Sequence, residues 1–261
     1  MAFNKNELIL DKVRSLVAND LSTGEMLFRL TSLEESSLNC TAEGEEVTDA
    51  VGALITTLYR AKKATFSATN SLVSLDLAAA QYGTKKVVAS EESKVVDFTY
   101  EIITIPADAT EVKLAKTPVG DVKWIYSIAN NEIGTAYKAG AAASETEFVI
   151  ATDGTITLPT GLTGKIYVEY QYETDKAVLV KNNASNFPEA CKVIIYAYFK
   201  DKCNENLTYS GKIICPKAKL NPESIELALT STGKHAFEFT MMKDYCAEEG
   251  EDELFTIIVS E

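Results

Sequence analysis

Arginine occupies only three of the 261 positions, Arg14, Arg29 and Arg60, and histidine only one, His235. With a net charge of −13, so few guanidinium groups exclude a surface built to hold nucleic acid, since affinity for phosphate backbones comes mainly from lysine and arginine. A Ser-His-Asp or Cys-His centre would have to use His235, and no GxSxG motif accompanies it. Beside the Gly233-Lys234 turn, that histidine reads as a surface residue. The five cysteines (Cys40, Cys191, Cys203, Cys215, Cys246) contain no CxxC pair, which leaves a zinc site without ligands in register and suits a reduced compartment. Neither GxxxxGK[ST] nor GxGxxG occurs; Ser231-Thr232-Gly233-Lys234 lacks the first glycine and the following hydroxyl residue of a phosphate loop. Carboxylates are plentiful, but a single tryptophan, Trp124, is sparse lining for a glycosidase cleft. No apolar run approaches the roughly 20 residues that span a bilayer. The start, MAFNKNELILDKVRSLV, lacks an apolar signal core, so secretion is not expected. Nothing here predicts an enzyme, a cofactor or a metal.

What the chain does contain is strand texture. Between Gly24 and Gly83, two long segments, about Met26 to Cys40 and Val47 to Phe66, flank the polar run Thr41 to Glu46. Val47, Val51, Ala53, Ile55, Thr57 and Tyr59 keep one parity, which places them on one face of a strand. Both strands exceed the usual five or six residues, which predicts a hairpin that projects from its domain. Asn70 and Ser71 then read as a helix start, and Gly83 as its stop. A second hairpin is predicted from Ala190 to Phe199 and Leu207 to Pro216 around the polar turn Lys200 to Asn206. If it turns about Cys203, Cys191 and Cys215 stand opposite each other, as small buried apolar groups or as a cross-strand disulfide. Further strands are expected at Ser224 to Leu229, Ala236 to Met241 and Leu254 to Val259. Before the last lie Glu248, Glu249, Glu251, Asp252 and Glu253, a solvated acidic loop or, without EF-hand spacing, a calcium site. Near the N-terminus, Leu8, Ile9, Val13, Leu16 and Val17 recur at helix-like spacing, suggesting a short amphipathic helix or arm.

In the middle of the chain the texture changes. Three strands are expected between Val96 and Ile128, with Pro106 and Pro118 at their ends, and Asn130 to Glu145 reads as loop. Short strands follow at Thr146 to Ile150, Thr155 to Leu158 and Lys165 to Tyr172, with turns at Asp153-Gly154 and Pro159-Thr160-Gly161. Turns every eight to twelve residues or so suggest a small β-sandwich inserted at about 96–180, with 1–95 and 181–261 forming one discontinuous domain. A single larger β domain is the alternative.

The early long hairpin, the helix, the later hairpin ending in IICPKAKL and the closing ELALTSTGKHAFEFTMMKD together resemble the major tail tube proteins of tailed bacteriophages. The resemblance covers about residues 20–90 and 185–245. It implies a mainly β tube domain of sandwich or barrel type, with long hairpins and a short α-helix, decorated by an Ig-like β-sandwich. It also implies hexameric rings stacked into a virion tube that conducts DNA during ejection without binding it tightly. Assembly in the host cytoplasm is expected, with tape measure, terminator and baseplate proteins as further partners and no membrane anchor. In that picture Glu34, Glu35, Glu43, Glu45, Glu46, Asp49, Asp201 and Glu205 line the lumen or the ring contact, and Ile55, Tyr59, Ile195 and Ile213 belong to hairpin strands between subunits. The physical case is that long hairpins leave open strand edges, which a closed ring removes. A cell-surface or adhesive β-sandwich that binds a ligand is the alternative, and a polysaccharide hydrolase comes third.

Overall fold

The computed structural model describes residues 7–204, 206–222, 226, 233–245 and 253–260. The chain is mainly β. It opens with β1 (Leu8–Asp20), β2 (Met26–Leu30), β3 (Leu33–Thr48) and β4 (Leu54–Asn70), followed by the helix α1 (Leu75–Gln81). Next come β5 (Val87–Val88), β6 (Val95–Thr104), β7 (Glu111–Lys113), β8 (Trp124–Ala129) and β9 (Glu132–Ala139). After these lie β10 (Glu147–Ile150), β11 (Thr155–Thr157), β12 (Lys165–Thr174) and β13 (Val178–Leu179). The last strands are β14 (Ala190–Asp201), β15 (Thr208–Leu220), β16 (His235–Met241) and β17 (Thr256–Ser260). Contacts divide the chain into two units, one of Met1–Lys86 with Val180–Glu261 and one of Val87–Leu179.

The discontinuous unit is built on an eight-stranded sheet in the order β2-β1-β14-β15-β16-β4-β3. The second edge of β15 is shared: β16 pairs with Ala218 to Leu220, and β17 with Ser210 to Ile214. Alternate residues of β14, β15, β16 and the end of β4 point inward, so Ile195, Cys215, Phe239, Phe66 and Leu16 form one core with Leu77 of α1. Phe28 of β2 and Phe239 of β16 stack at 6.4 Å although three strands separate β2 from β16 in the sheet order. The sheet therefore curls until its own inner face is buried, as twist permits.

The N-terminal segment is a strand. Two bulges in β1, between Leu10 and Lys12 and between Val13 and Ser15, each insert a residue into the pairing with β14. Each extra residue stretches a two-residue repeat to three, which imitates helix spacing in the sequence. The first hairpin turns later than expected. Thr41 to Glu46 is strand, and the turn is Asp49 to Ala53, where the Asp49 carboxylate accepts the Val51 and Ala53 N–H groups at 3.0 and 2.8 Å. Gly52, at φ +85°, supplies the left-handed residue.

The helix also starts later: Ser74 is its N-cap and accepts the Leu77 N–H at 3.3 Å, while Asn70 still belongs to β4. Gly83 ends the turn beyond the helix at φ +62°, and a Cβ there would stand 2.2 Å from the Phe187 carbonyl oxygen. Both a left-handed backbone and this contact demand glycine. We expect Gly83→Ala to lower unfolding free energy by about 2 kcal/mol in urea titration, the sum of αL strain and a forced backbone shift.

His235 is buried, not at the surface. Its Nε2 lies 2.6 Å from Gln81 Oε1, and its Nδ1 has no hydrogen-bond partner among the described residues. Burial holds the imidazole below its ordinary value near 6.5, so the folded chain keeps it neutral where the unfolded chain would protonate it. Its stability contribution is complete above about pH 6.5 and declines as pH falls below that value, by at most ~1.4 kcal/mol per pH unit. A His235→Asn variant is expected to lose this part of the slope when chemical denaturation is compared at pH 7 and pH 5.

The second unit, Val87–Leu179, is described by itself. Its seven-stranded sheet runs β6-β12-β8-β9-β10-β11-β7, antiparallel except for β9 with β10. Ile125, Phe148, Ile156, Ile166 and Val168 are its fully buried core. The ends β5 and β13 pair with each other. The stretch expected as loop contains β9, joined to β8 by Asn130 and Asn131 at φ +52° and +62°. Both left-handed values mark a type I′ hairpin turn, which asparagine tolerates. The strand expected at Ser224 to Leu229 lies, apart from Glu226, outside the described residues, as do Cys246 and the acids Glu248, Glu249, Glu251 and Asp252.

Candidate assembly interface

The β3–β4 hairpin divides into a base and an arm. At the base, Ala64 to Asn70 of β4 pair with β16 on one side and β3 on the other. Beyond Ala64, among the described residues, the two strands pair only with each other, from Thr41↔Lys63 to Thr48↔Leu54, a ribbon on the order of 25 Å long at the usual strand rise. Just beyond the change lies a bulge in β4 at Ala61 and Lys62, opposite Ala42, with Ala61 at φ +48°. Burial changes where the pairing does: alternate residues from Ala64 onward are buried, whereas nearly all of Leu54 to Lys63 is exposed.

A two-stranded ribbon is marginal alone, and this one is apolar on both faces. Leu58, opposite Glu45, is 42% exposed on one face and Tyr59, opposite Gly44, is 75% exposed on the other, while Leu54 and Ile55 beside the turn are 58% and 64% exposed. Tyr59 packs over Gly44, whose missing side chain makes room for the ring. Among the described residues the outer edge of β3 has no strand neighbour. A long unpaired edge with exposed apolar side chains is a surface that closes against another chain.

The acids of the arm are solvated. Glu43 and Glu45 lie 3.7 and 3.6 Å from Lys63 and Arg60, pairs so exposed that each adds little stability. Glu46 is exposed beside them, and Asp49 is engaged in its turn. At the base, Glu34 pairs with Lys234 at 3.1 Å, and hydrogen bonding to Ser71 and Lys234 holds its carboxyl below the ordinary range. Glu35 is exposed at a second bulge, with φ +50°.

The second hairpin differs. Ile195 is fully buried between Leu16 and Ile213 on the neighbouring strands, and Ile213 is half-buried against the core. Asp201 is 8% exposed and accepts the Cys203 and Asn204 N–H groups at 2.7 and 3.1 Å, so its carboxylate holds its own turn. Glu205 lies outside the described residues. A bulge in β15 at Pro216 and Lys217, opposite Lys192, shifts the register, so Cys191 faces Ala218 and Cys215 faces Val193. Both thiols are free and buried, and burial pushes each up to about 12. They serve as small apolar core groups. Two features were missed in the sequence: the division of the first hairpin at Ala64, and the fact that only the arm is exposed on both faces. The signal for the second was the mixed apolar and polar make-up of both faces of Val47 to Tyr59.

Among the described residues no group of three or more His, Cys, Asp or Glu side chains could hold a metal ion. No helix of the described residues is long and apolar enough to cross a membrane. A family model described as the YomU/Tube protein family matches residues 8–251. No curated protein matches the chain.

Proposed function

The chain belongs to the YomU/Tube protein family, a family of structural phage tail tube proteins, and from that premise we propose that it forms hexameric rings whose stacked lumen conducts the genome during ejection. The observation that carries this reading is the arm, a self-paired ribbon with apolar side chains exposed on both faces and an open β3 edge. In a ring, such arms find partners in neighbouring copies, and the closed arrangement leaves no free edge. The curled sheet behind the arm supplies the wall of each subunit. Net negative charge suits the bore, because a conduit must release DNA rather than retain it. Of the acids in the arm, Glu43, Glu45, Glu46 and Asp49 reach furthest from the base and are the proposed lumen or ring-contact set, with Glu34 and Glu35 nearer the wall. Residues 96–180 are proposed as an inserted decoration on the outside of the tube, where an extra domain is tolerated. Terminator, baseplate and tape measure proteins are the proposed partners in the virion.

Negative-stain microscopy of the purified chain tests this. We expect rings or tubes with six-fold end views. The same rings, with an unchanged lumen, are expected when a short Gly/Ser linker replaces Val96 to Val180. A chain that stays monomeric at every concentration, or rings of another order, would contradict the hexameric reading.

A further inference from the structure

One face of the 87–179 unit is aromatic and exposed. Phe98 and Tyr100 of β6 are 67% and 63% exposed, and Trp124 of β8 is 45% exposed. Tyr167 of β12 lies between Tyr100 and Tyr126, with ring centres 5.5 and 6.3 Å away and the first pair nearly parallel. Between Phe98 on one strand and Trp124 and Tyr126 on another runs a cleft of about 450 Å3, floored by Glu169 and Gln171 of β12. In the strand register Gln171 stands opposite Phe98, and Glu169 opposite Tyr100. On the other side of Trp124 lies a second cleft of about 590 Å3, reaching Pro118, Lys138 and Ile150. Gly120, Asp121, Lys123 and Trp124 line both, so the indole is a shared wall between two adjoining sites.

This arrangement reverses a protein–protein contact, which is apolar at its centre and polar at its rim. Here a carboxylate and an amide form the floor, and aromatic rings form the walls. The ligand that fits has apolar faces to lie against rings and closely spaced hydroxyls to reach Glu169 and Gln171. A pyranose has both: its C–H face stacks on an aromatic ring, and its hydroxyls bridge a carboxylate or amide. Charge narrows the class further. Between 87 and 179 there is no arginine, and acids outnumber lysines fourteen to seven, so nucleic acid and polyanionic glycans are disfavoured. At the cleft itself Asp121 and Glu169 are balanced by Lys123 and Lys138, which suits an uncharged ligand. We propose that the Trp124 clefts bind a neutral glycan chain, one sugar on each side of the indole. This assignment does not depend on the tube reading, since every residue it uses lies within one unit.

Trp124 is the only tryptophan in the chain, so fluorescence of the full-length protein excited at the red edge, where its tyrosines do not absorb, reports this site alone. Titration with hexasaccharides of glucose, xylose, mannose and N-acetylglucosamine, alongside a sulfated glucan, tests the assignment. Expected is a saturable change in emission with at least one neutral oligosaccharide and none with the sulfated one. Phe98→Ala and Gln171→Ala should each weaken it about tenfold or more, the scale of one lost stacking or hydrogen-bond contact, while thermal melting stays as in the parent. Phe98→Tyr, which keeps a stacking ring, should retain binding and guards against a folding artefact. No response to any neutral sugar at millimolar concentration would overturn the proposal, as would a response only to the sulfated glucan. So would loss of ring assembly in Phe98→Ala without any sugar response, because the face would then be a subunit contact.

Discussion

Replacing Ile55 and Tyr59 together by glutamate is expected to abolish ring formation while leaving the monomer folded. Both side chains are more than half exposed and neither belongs to the core, so the monomer gives up almost no buried area. Unfolding free energy should change by no more than about 0.5 kcal/mol, the usual limit for surface substitutions. In an assembly that buries the arm, two carboxylates would be desolvated without a partner. Each such charge costs several kcal/mol, enough to shift association by orders of magnitude. Sedimentation velocity should therefore show a single slow species, with strand circular dichroism unchanged. Wild-type tubes from this double variant would show that the arm is not a contact.

Substitution at Ile195 has the opposite expected result. This side chain is fully buried, and its strand is paired on both sides, with Leu16 of β1 and Ile213 of β15. Ile195→Ala should reduce unfolding free energy by about 2–5 kcal/mol, through lost transfer energy and the cavity left behind. Ile195→Pro should prevent folding altogether, because it also removes a ladder hydrogen bond in a central strand. Urea titration of the alanine variant and the soluble yield of the proline variant are the measurements. A cost below about 1 kcal/mol for Ile195→Ala would contradict the core placement.

In sequence these two isoleucines looked alike, since each lies in a β-branched run inside a predicted hairpin. What separates them is the set of strands beside each run, and sequence pattern does not encode neighbours. The second hairpin was legible because β14 alternates inward and outward, and that alternation reflects real burial. The turn of the first was misplaced because an arm in solvent has no buried face, so polar residues at Thr41 to Glu46 marked exposure rather than a bend. Asp49 and Gly52 carried the true turn chemistry, but an intervening apolar Val51 obscured it. The strand β1 was hidden by its bulges. Of the proposed acids, the exposure of Glu43, Glu45 and Glu46 could be inferred from the sequence, but the cations beside two of them and the inward turn of Asp201 could not.

The pairing of β5 with β13 bears on how the chain finds its fold. Val87 meets Leu179, so once the 87–179 segment has folded it holds the two ends of its own chain together. That segment is contiguous and can condense while later residues are still being made. Its partner unit cannot, because β1 waits for β14, with Leu16 opposite Ile195. Such distant pairing is slow, since the loop between must close before any contact compensates for it. A folded clasp shortens the effective loop between Leu16 and Ile195 from about 180 residues to about 90, which lowers the closure cost by roughly 0.6 kcal/mol. The linker variant that lacks Val96 to Val180 loses β13 and with it the clasp. Its rate of refolding will depend on linker length even where its final fold does not.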